Sequence, residues 1–185
     1  MKNLFSVKGK VALVTGGSRG IGEMIAAGYL ANGAKVYISS RKAETCDATA
    51  ERLSKEYEGN CISIPADLSN LDGIAALVSK IKEDEGSLDI LVNNAGASWG
   101  EPIEEYSEKG WDKVMDTNVK GVFFLTQKLL PLLKASGNAE DPARVINIGS
   151  IDGIKTGLFD AFSYGPSKAA LHHLTRVLAA SLVKD

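Results

Sequence analysis

Apolar residues along this chain fall into short runs separated by longer stretches with helical spacing. Val11-Ala12-Leu13-Val14 is a β-type run that stops at Thr15-Gly16-Gly17. Residues 21–31 then carry a helical pattern that ends at Asn32-Gly33, a favourable helix C-cap. A second strand is predicted at 35–39 with a helix over 43–57, and a third at 61–64, stopped by Pro65, with a helix over 71–85. Residues 88–92 and 144–148 are the fourth and fifth runs. A long helix over 111–135 lies between them, and a final one covers 162–182. The strand runs are almost continuously apolar, which indicates burial on both faces. Strands alternating with helices imply a parallel sheet with right-handed crossovers and helices on both sides. No repeat, low-complexity segment or linker interrupts the pattern, so residues 1–185 read as one doubly wound α/β domain.

Composition narrows the function classes. With 185 residues the chain has the usual size of one domain. It can bury roughly 70% of its unfolded surface without a metal or disulfide staple. Lys and Arg number 21 against 23 Asp and Glu, a net charge of -2, so the broad basic footprint of a nucleic-acid binder is missing. Cys46 and Cys61 have neither CxxC spacing nor paired histidines beside them, which speaks against a disulfide framework or a Cys/His metal site. His172 and His173 are adjacent, so on a helix they point about 100° apart and cannot chelate one metal. They read as surface or subunit-contact residues, and no metal site is expected. The N-terminus from Met1 to Lys10 is too charged for a signal-peptide core. The most apolar stretch, 121–133, is broken by Gln127, Lys128 and Pro131, so no membrane span is expected. The expectation is a soluble, intracellular, cytoplasmic protein. One figure stands out: 19 glycines, about one residue in ten, against an average near 7%.

Several of those glycines are placed. The first strand runs into Thr15-Gly16-Gly17-Ser18-Arg19-Gly20-Ile21-Gly22 and then into a helix. A glycine cluster in that context suits dinucleotide binding, although a plain tight turn uses glycines too. Gly16 permits the turn, Gly20 lets backbone N–H groups approach a pyrophosphate, and Gly22 lets the helix pack closely on the strand. After the second strand, where a carboxylate would select NAD, stands Ser39-Ser40-Arg41-Lys42. Arg41 can hold a 2′-phosphate, with Ser18 and Arg19 adding a donor and a charge. NADP(H) is therefore preferred over NAD(H); the alternative is a solvated basic start to a helix. Tyr164 and Lys168 are four apart and share a helix face. A neighbouring ammonium favours phenolate, which fits a tyrosine for proton transfer. Alone, that pair is an ordinary surface pair.

Taken together, Thr15-Gly16-x-x-x-Gly20-x-Gly22, Asn93-Asn94-Ala95-Gly96 and Tyr164-x-x-x-Lys168 resemble the short-chain dehydrogenase/reductase family, from about Lys8 to the last residue. The resemblance implies a Rossmann fold and site roles position by position. Ser150 would hold the substrate carbonyl, and Tyr164 would donate the proton. Lys168 would bind the nicotinamide ribose and tune Tyr164, while Asn118 would hold a water of the proton relay. Asp67, followed by Leu68, would contact the adenine amino group. Gly16, Ser18, Arg19, Gly20, Ile21, Gly22, Arg41, Asn94, Ala95 and Gly96 would complete the cofactor site, with Tyr164 and Lys168. Ser150 lies fourteen positions before Tyr164, one more than the commonest family spacing, which a loop insertion absorbs.

Within the family, Ser98-Trp99-Gly100, the run from Ala143 to Ser150 and Tyr164 to His172 are most similar to NADPH-dependent β-ketoacyl reductases, including the rhamnolipid-associated kind. The implied substrate is a small-molecule carbonyl compound or a 3-oxoacyl thioester, on acyl carrier protein or coenzyme A. Polyol and keto-sugar dehydrogenases share the scaffold and supply the alternative substrate. The resemblance also implies a homo-oligomer paired through the two long helices, 111–135 and 162–182. Relatives continue past the final helix into two more strands, whereas this chain stops at Leu182-Val183-Lys184-Asp185. The fold is thus expected to lack the last strands of the family, leaving an apolar sheet edge. A cofactor-binding protein with little or no turnover is then the competing expectation. Trp99 is read as lining the substrate mouth or as simple packing, and Glu101, Glu104 and Glu105 as a solvated acidic patch.

Overall fold

The computed structural model describes residues 5–156 and 160–184; the N-terminal stretch read for a leader therefore lies partly outside the described residues, as does Asp185. Strands β1 (Val11–Thr15), β2 (Lys35–Ser39), β3 (Cys61–Ser63), β4 (Ile90–Asn93) and β5 (Arg144–Asn147) form one parallel sheet in the order β3-β2-β1-β4-β5. The chain crosses from β1 outward to β3 and then returns to place β4 on β1's other side. That reversal opens a crevice beyond the C-terminal ends of β1 and β4, where ligands bind in sheets of this kind.

Strands β1, β2 and β4 serve two cores, which explains their continuous apolar runs, whereas β5 packs one face only, through Val145. Leu13, Tyr37 and Leu91 face one side with Ile74, Leu77 and Ile81 of α3 (Leu71–Asp84) and Leu125 and Leu129 of α5 (Gly121–Ser136). Their neighbours Ala12, Val14, Val36, Ile38, Ile90 and Val92 face the other. There they meet Ala26 and Leu30 of α1 (Gly20–Ala31) and Cys46, Ala50 and Leu53 of α2 (Ala43–Glu56). Each fully buried leucine or isoleucine contributes roughly 1.5–3 kcal/mol relative to exposure. Gly33 closes α1 at φ +80, its N–H bonded to the Leu30 carbonyl, as the Asn-Gly pair foretold.

The expected helix over 111–135 is built differently. It consists of α4 (Glu108–Met115), a π-helical turn over Asp116–Lys120, and α5. Gly121 closes the widened turn by donating to the Asp116 carbonyl, and Gly121 also packs so tightly on the Leu68 carbonyl that a Cβ would clash. A π turn inside an α-helix commonly marks a functional site, and this one holds Asn118. The last helix is α6 (Tyr164–Leu182). Helices α3 and α4 are capped by side chains, Asn70 accepting from Gly73 N–H at 2.8 Å and Ser107 from Gly110 N–H at 3.2 Å. Helices α1 and α6, which start at the crevice, have no side-chain cap.

At the opposite end of the sheet the Lys10 ammonium bridges Asp89 at 2.9 Å and Asp141 at 2.7 Å. The second Asp89 oxygen accepts the Val11 N–H, so one carboxylate ties β1 to the start of β4. The hydrogen bond from Lys10 is the main cause holding the Asp141 carboxyl below its ordinary value. Strand β5 pairs with β4 only, and Ile146 on it is 38% exposed. Beside it, Leu130, Val145, Leu178 and Leu182 line an apolar groove of about 390 Å³, which matches the expected apolar edge. Among the described residues, no helix is long and apolar enough to cross a membrane.

Tyr37 gives the fold an alkaline signature. Its hydroxyl donates to Glu85 at 2.6 Å, and Glu85 also pairs with Lys35. Burial first, then this hydrogen bond, pushes the Tyr37 phenol up to about 12. The folded value lies above the unfolded one. The contribution is therefore complete below the unfolded value near 10 and is lost as pH rises through about 12. Urea unfolding compared at about pH 9 and about pH 11.5 should show the parent losing more stability than Tyr37→Phe over this interval. Equal losses in the two proteins would show that Tyr37 contributes nothing to the alkaline limb.

Candidate active site at the β1–β4 crevice

The glycine turn is held by β2. Gly16 N–H and Gly17 N–H both donate to the Ser39 carbonyl, at 2.7 and 3.2 Å. Gly20 has φ +58, a region L side chains rarely enter, and a Cβ there would meet nothing within 4 Å, so its outer face is open to a ligand. Gly22 is the reverse case: a Cβ would drive into the Gly16 carbonyl and the Asn94 amide. Ser18 is buried and its carbonyl accepts from the Thr49 hydroxyl of α2 at 3.0 Å. Arg19 precedes α1 in extended conformation and leaves the first-turn N–H groups without a side-chain cap. Ile21 is exposed beside them. An uncapped helix N-terminus with an open glycine face is an anion site.

Arg41 is exposed at the β2 end of the crevice, and neither it nor Arg19 enters an ion pair among the described residues. Ser40 Oγ contacts the Lys42 carbonyl at 3.5 Å, and its own carbonyl takes the Ala66 N–H. That bond draws the loop after β3 to the crevice. In it, one Asp67 oxygen accepts both the N–H and the hydroxyl of Ser69, at 3.0 and 2.8 Å. The other has no partner among the described residues. Leu68 is buried and backs onto Gly121.

Asn94 turns out to hold the scaffold. Its side-chain amide donates to the carbonyls of Thr15 and Gly16 at 2.9 and 3.3 Å. The Thr15 hydroxyl donates to Val92 O and accepts the N–H groups of Asn94 and Ala95. Gly96, next along, lies near both Asn118 Oδ1 and Lys168 Nζ, where a Cβ would sit 3.5 and 3.9 Å from them. The structure thus brings together the β4 turn, the π turn and α6.

Asn118 is 1% exposed and fully engaged. Its oxygen accepts Ala97 N–H at 2.8 Å, and its amide donates to Ala97 O and to Ser167 Oγ, each at 2.9 Å. Ser167 in turn donates to the Tyr164 carbonyl at 2.7 Å. Lys168 is 5% exposed; its ammonium donates to Ile148 O at 2.7 Å and lies 5.8 Å from the Tyr164 ring centre. Burial holds it below the ordinary lysine value. Ser150 ends the β5 segment and caps a short 3-10 turn, its hydroxyl oxygen accepting the Asp152 N–H at 3.2 Å. That leaves the Ser150 O–H free to donate. The features suit a phosphorylated dinucleotide: open N–H groups for a pyrophosphate, two free guanidinium groups, a spare Asp67 oxygen and a buried ammonium.

Of four further side chains around this crevice, the sequence reading missed Tyr106 and did not foresee the partners of His172 and Glu101, while Trp99 packs as one of its two readings had it. His172 is half-buried beneath the Ser150 loop: its Nε2 accepts Ser150 N–H at 3.4 Å, and Cβ atoms at Gly149 or Gly153 would strike its ring. One side of its ring is thus taken up within the fold, whereas His173 is exposed. Glu101 is not merely solvated either. It accepts both the N–H and the hydroxyl of Ser107 at 2.8 Å, and the Ser107 N–H is the main cause holding its carboxyl low. Trp99 packs on Gly110 with Lys113 Nζ 4.4 Å from its ring centre. Its buried indole N–H closes no hydrogen bond but lies near enough to Glu101 to favour the carboxylate. Tyr106 bonds Ser163, just before Tyr164. None of these pairs has a local sequence signal, because their partners lie 6 to 57 residues away.

The family model described as short chain dehydrogenase matches residues 10–185. A relative from Pseudomonas aeruginosa, the rhamnolipids biosynthesis 3-oxoacyl-[acyl-carrier-protein] reductase, is 56% identical over 185 residues, covering 100% of this chain and 72% of its own. Gluconate 5-dehydrogenase of Gluconobacter oxydans is 37% identical over 180 residues, covering 96% of this chain and 67% of its own. Among solved structures, a Pseudomonas aeruginosa RhlG/NADP active-site complex superposes with a TM-score of 0.94 at 57% identity, over 99% of this chain and 71% of that one. L-Sorbose reductase from Gluconobacter frateurii, complexed with NADPH and L-sorbose, gives 0.90 at 29% identity, over 96% and 66%. With its doubly wound Rossmann sheet and these matches, the chain belongs to the short-chain dehydrogenase/reductase family.

Proposed function

We propose that this protein is an NADPH-dependent reductase of 3-oxoacyl thioesters, with Tyr164 as proton donor. The reading is supported by the bonds that tie Asn118 to the first turn of α6, the buried Lys168 ammonium 5.8 Å from the Tyr164 ring centre, and the contact of the Ser150 loop with His172 of the same helix. Bound in the β1–β4 crevice, NADPH supplies the hydride. The chain's own residues bind the cofactor and manage the oxygen. Ser18, Gly20, Ile21 and Gly22 would offer backbone to the pyrophosphate, with Gly16, whose N–H is held by the Ser39 carbonyl, setting the turn, and Arg19 and Arg41 would take the 2′-phosphate. Asp67 and Leu68 would hold the adenine, and Asn94, Ala95 and Gly96 would form the floor beside the nicotinamide ribose, which Lys168 would bind.

Ser150 donates its free O–H to the substrate carbonyl, whose oxygen gains negative charge as reduction proceeds. Tyr164 passes its phenolic proton to that oxygen, leaving a neutral hydroxyl product. The Lys168 ammonium favours the phenolate left behind. Asn118 fixes the β4 turn and Ser167, and through them the approach of α6; a water at this site would complete a relay to solvent. The acyl reading is supported by the 56% identical relative's 3-oxoacyl substrate, carried on acyl carrier protein. A keto-sugar substrate is favoured instead by the fit to L-sorbose reductase, and a panel of acetoacetyl thioesters and keto-sugars separates the two. The protein is assigned to the cytoplasm.

Tyr164→Phe should lower kcat with NADPH and acetoacetyl thioester by at least about 100-fold, since positioned proton transfer contributes roughly 10²–10⁴. Its NADPH affinity, read by nicotinamide fluorescence, should stay within a few-fold. Parental turnover in Tyr164→Phe would remove the mechanism. Arg41→Ala should weaken NADPH binding by about tenfold or more while leaving NADH unchanged, as loss of one charge-assisted phosphate contact implies. Equal weakening of both cofactors would place Arg41 away from the 2′-phosphate. Two copies paired through α4–α5 and α6 form the proposed oligomer, so sedimentation velocity should show a dimer or larger species; a monomer at micromolar concentration would refute that pairing.

A further inference from the structure

Helix α6 begins without a side-chain cap of its own, although Ser163, a favourable capping residue, stands at its N-cap position. Ser163 has helical φ and ψ of -88 and -25, is completely buried, and spends its side chain elsewhere. Its Oγ lies 2.6 Å from the hydroxyl of Tyr106, and its backbone N–H donates to the same phenolic oxygen at 3.3 Å. The Tyr106 hydroxyl also reaches the Trp99 carbonyl at 3.2 Å. One arrangement of protons satisfies every group. The phenol donates its single proton to Trp99 O, which can only accept, and the phenolic oxygen accepts from both Ser163 O–H and Ser163 N–H. The Tyr106 ring meets Phe162 edge-on at 5.5 Å. Nearby, Glu101 N–H donates to Asp160 O at 3.2 Å, a second stitch between the same two segments.

We propose that Tyr106 is a positioning residue for Tyr164, acting through Ser163. This rests on the reading of Tyr164 as proton donor. The first turn of α6 is held on one side by Asn118 through Ser167 and on the other by Tyr106 through Ser163. The first clamp comes from the π turn and the second from the segment between β4 and α4. Tyr106 touches no reacting atom. Its hydroxyl fixes the backbone one residue before Tyr164 and, through Trp99 O, sets that backbone against the loop following Gly96. A phenol misplaced by about 1 Å transfers its proton far less well, whereas Lys168, one turn further along α6, has its own anchor on the Ile148 carbonyl at 2.7 Å and the glycine turn lies on β1 and α1, so cofactor binding should change little.

Tyr106→Phe keeps the ring against Phe162 and deletes only the hydroxyl. With NADPH and acetoacetyl thioester, kcat should fall about tenfold, KM for NADPH should stay within twofold, and the pH profile of kcat should shift relative to the parent. Hydrogen exchange should accelerate in peptides spanning 162–168 and stay unchanged in 20–31. Ser163→Ala should reproduce both effects and add less than twofold to Tyr106→Phe, because the two act through one contact. Unchanged kcat in a background where Tyr164→Phe is inactive would overturn the proposal, as would unchanged exchange in 162–168. Equal loss in kcat and in NADPH affinity would also overturn it, by marking a general structural role. Should Tyr164→Phe turn over like the parent, the proton-donor reading fails instead, and the exchange result still decides whether Tyr106 holds the start of α6.

Discussion

The crevice depends on one buried hydroxyl. Thr15 Oγ1 donates to Val92 O and accepts the Asn94 and Ala95 N–H groups, so all its capacity is used between β1 and β4. Asn94 answers by donating to the carbonyls of Thr15 and Gly16. These carbonyls lie beyond the last β1–β4 ladder pair, Val14 with Val92, so the sheet itself gives them no partner on β4. Pairing them across the switch point locks the glycine turn to the turn after β4. Because Gly16 and Gly17 also hang from Ser39 O, the ends of three strands become one rigid rim. Removing the Thr15 hydroxyl would leave the Ala95 N–H without its partner, at a cost of about 1–3 kcal/mol, whereas Asn94 N–H keeps the Val92 carbonyl at 3.1 Å.

The sheet was legible because its central strands have to satisfy two cores, whereas β5, equally apolar in sequence, packs one face only. Leu13 and its neighbours Ala12 and Val14 face opposite sides, so the local sequence is apolar throughout, and the intervening helices fill both faces. The glycine turn was legible because its positive φ and close contacts are local demands that only glycine meets. The π turn was not. Its residues Asp116-Thr117-Asn118-Val119-Lys120 are compatible with an ordinary helix, and what widens the turn is a distant fit, Gly121 against Leu68 O and Asn118 against Ala97. The partners of His172 and Glu101 were hidden for the same reason. A histidine on a helix and a glutamate among glutamates look solvated until the fold delivers Ser150 N–H or Ser107 N–H to them.

The two halves of the sheet divide the work. The β1–β3 half presents backbone N–H groups and guanidinium charges, fitted to a polyanion and cheap to maintain at a surface. The β4–β5 half, with α6, presents a buried cation. Lys168 is almost wholly excluded from water, and its ammonium has one carbonyl partner among the described residues. Burial works against its charge, as its lowered pKa direction records. A site built for stability alone would place a neutral side chain there. On the proposed function the ammonium would be shared with ribose oxygens of the cofactor, which would offset that cost.

That cost explains why the surroundings of α6 are tied so thoroughly. An ammonium in a low-dielectric pocket exerts a strong field whose effect on a neighbouring phenol changes steeply with distance. Lys168 and Tyr164 share one helix, so their separation is set by the helix itself, but their placement against Ser150 and the cofactor floor is not. Ser150 sits on the loop leaving β5, and its N–H rests on His172 of the same α6. Asn118 links α6 to the turn after β4. Both partners of Tyr164 are thus referenced to one helix rather than to separate loops. On the proposed mechanism the proton donor and its electrostatic partner are set by one helix, while the carbonyl ligand is referenced to that helix through the Ser150–His172 contact, so the start of α6 is the element whose placement matters most.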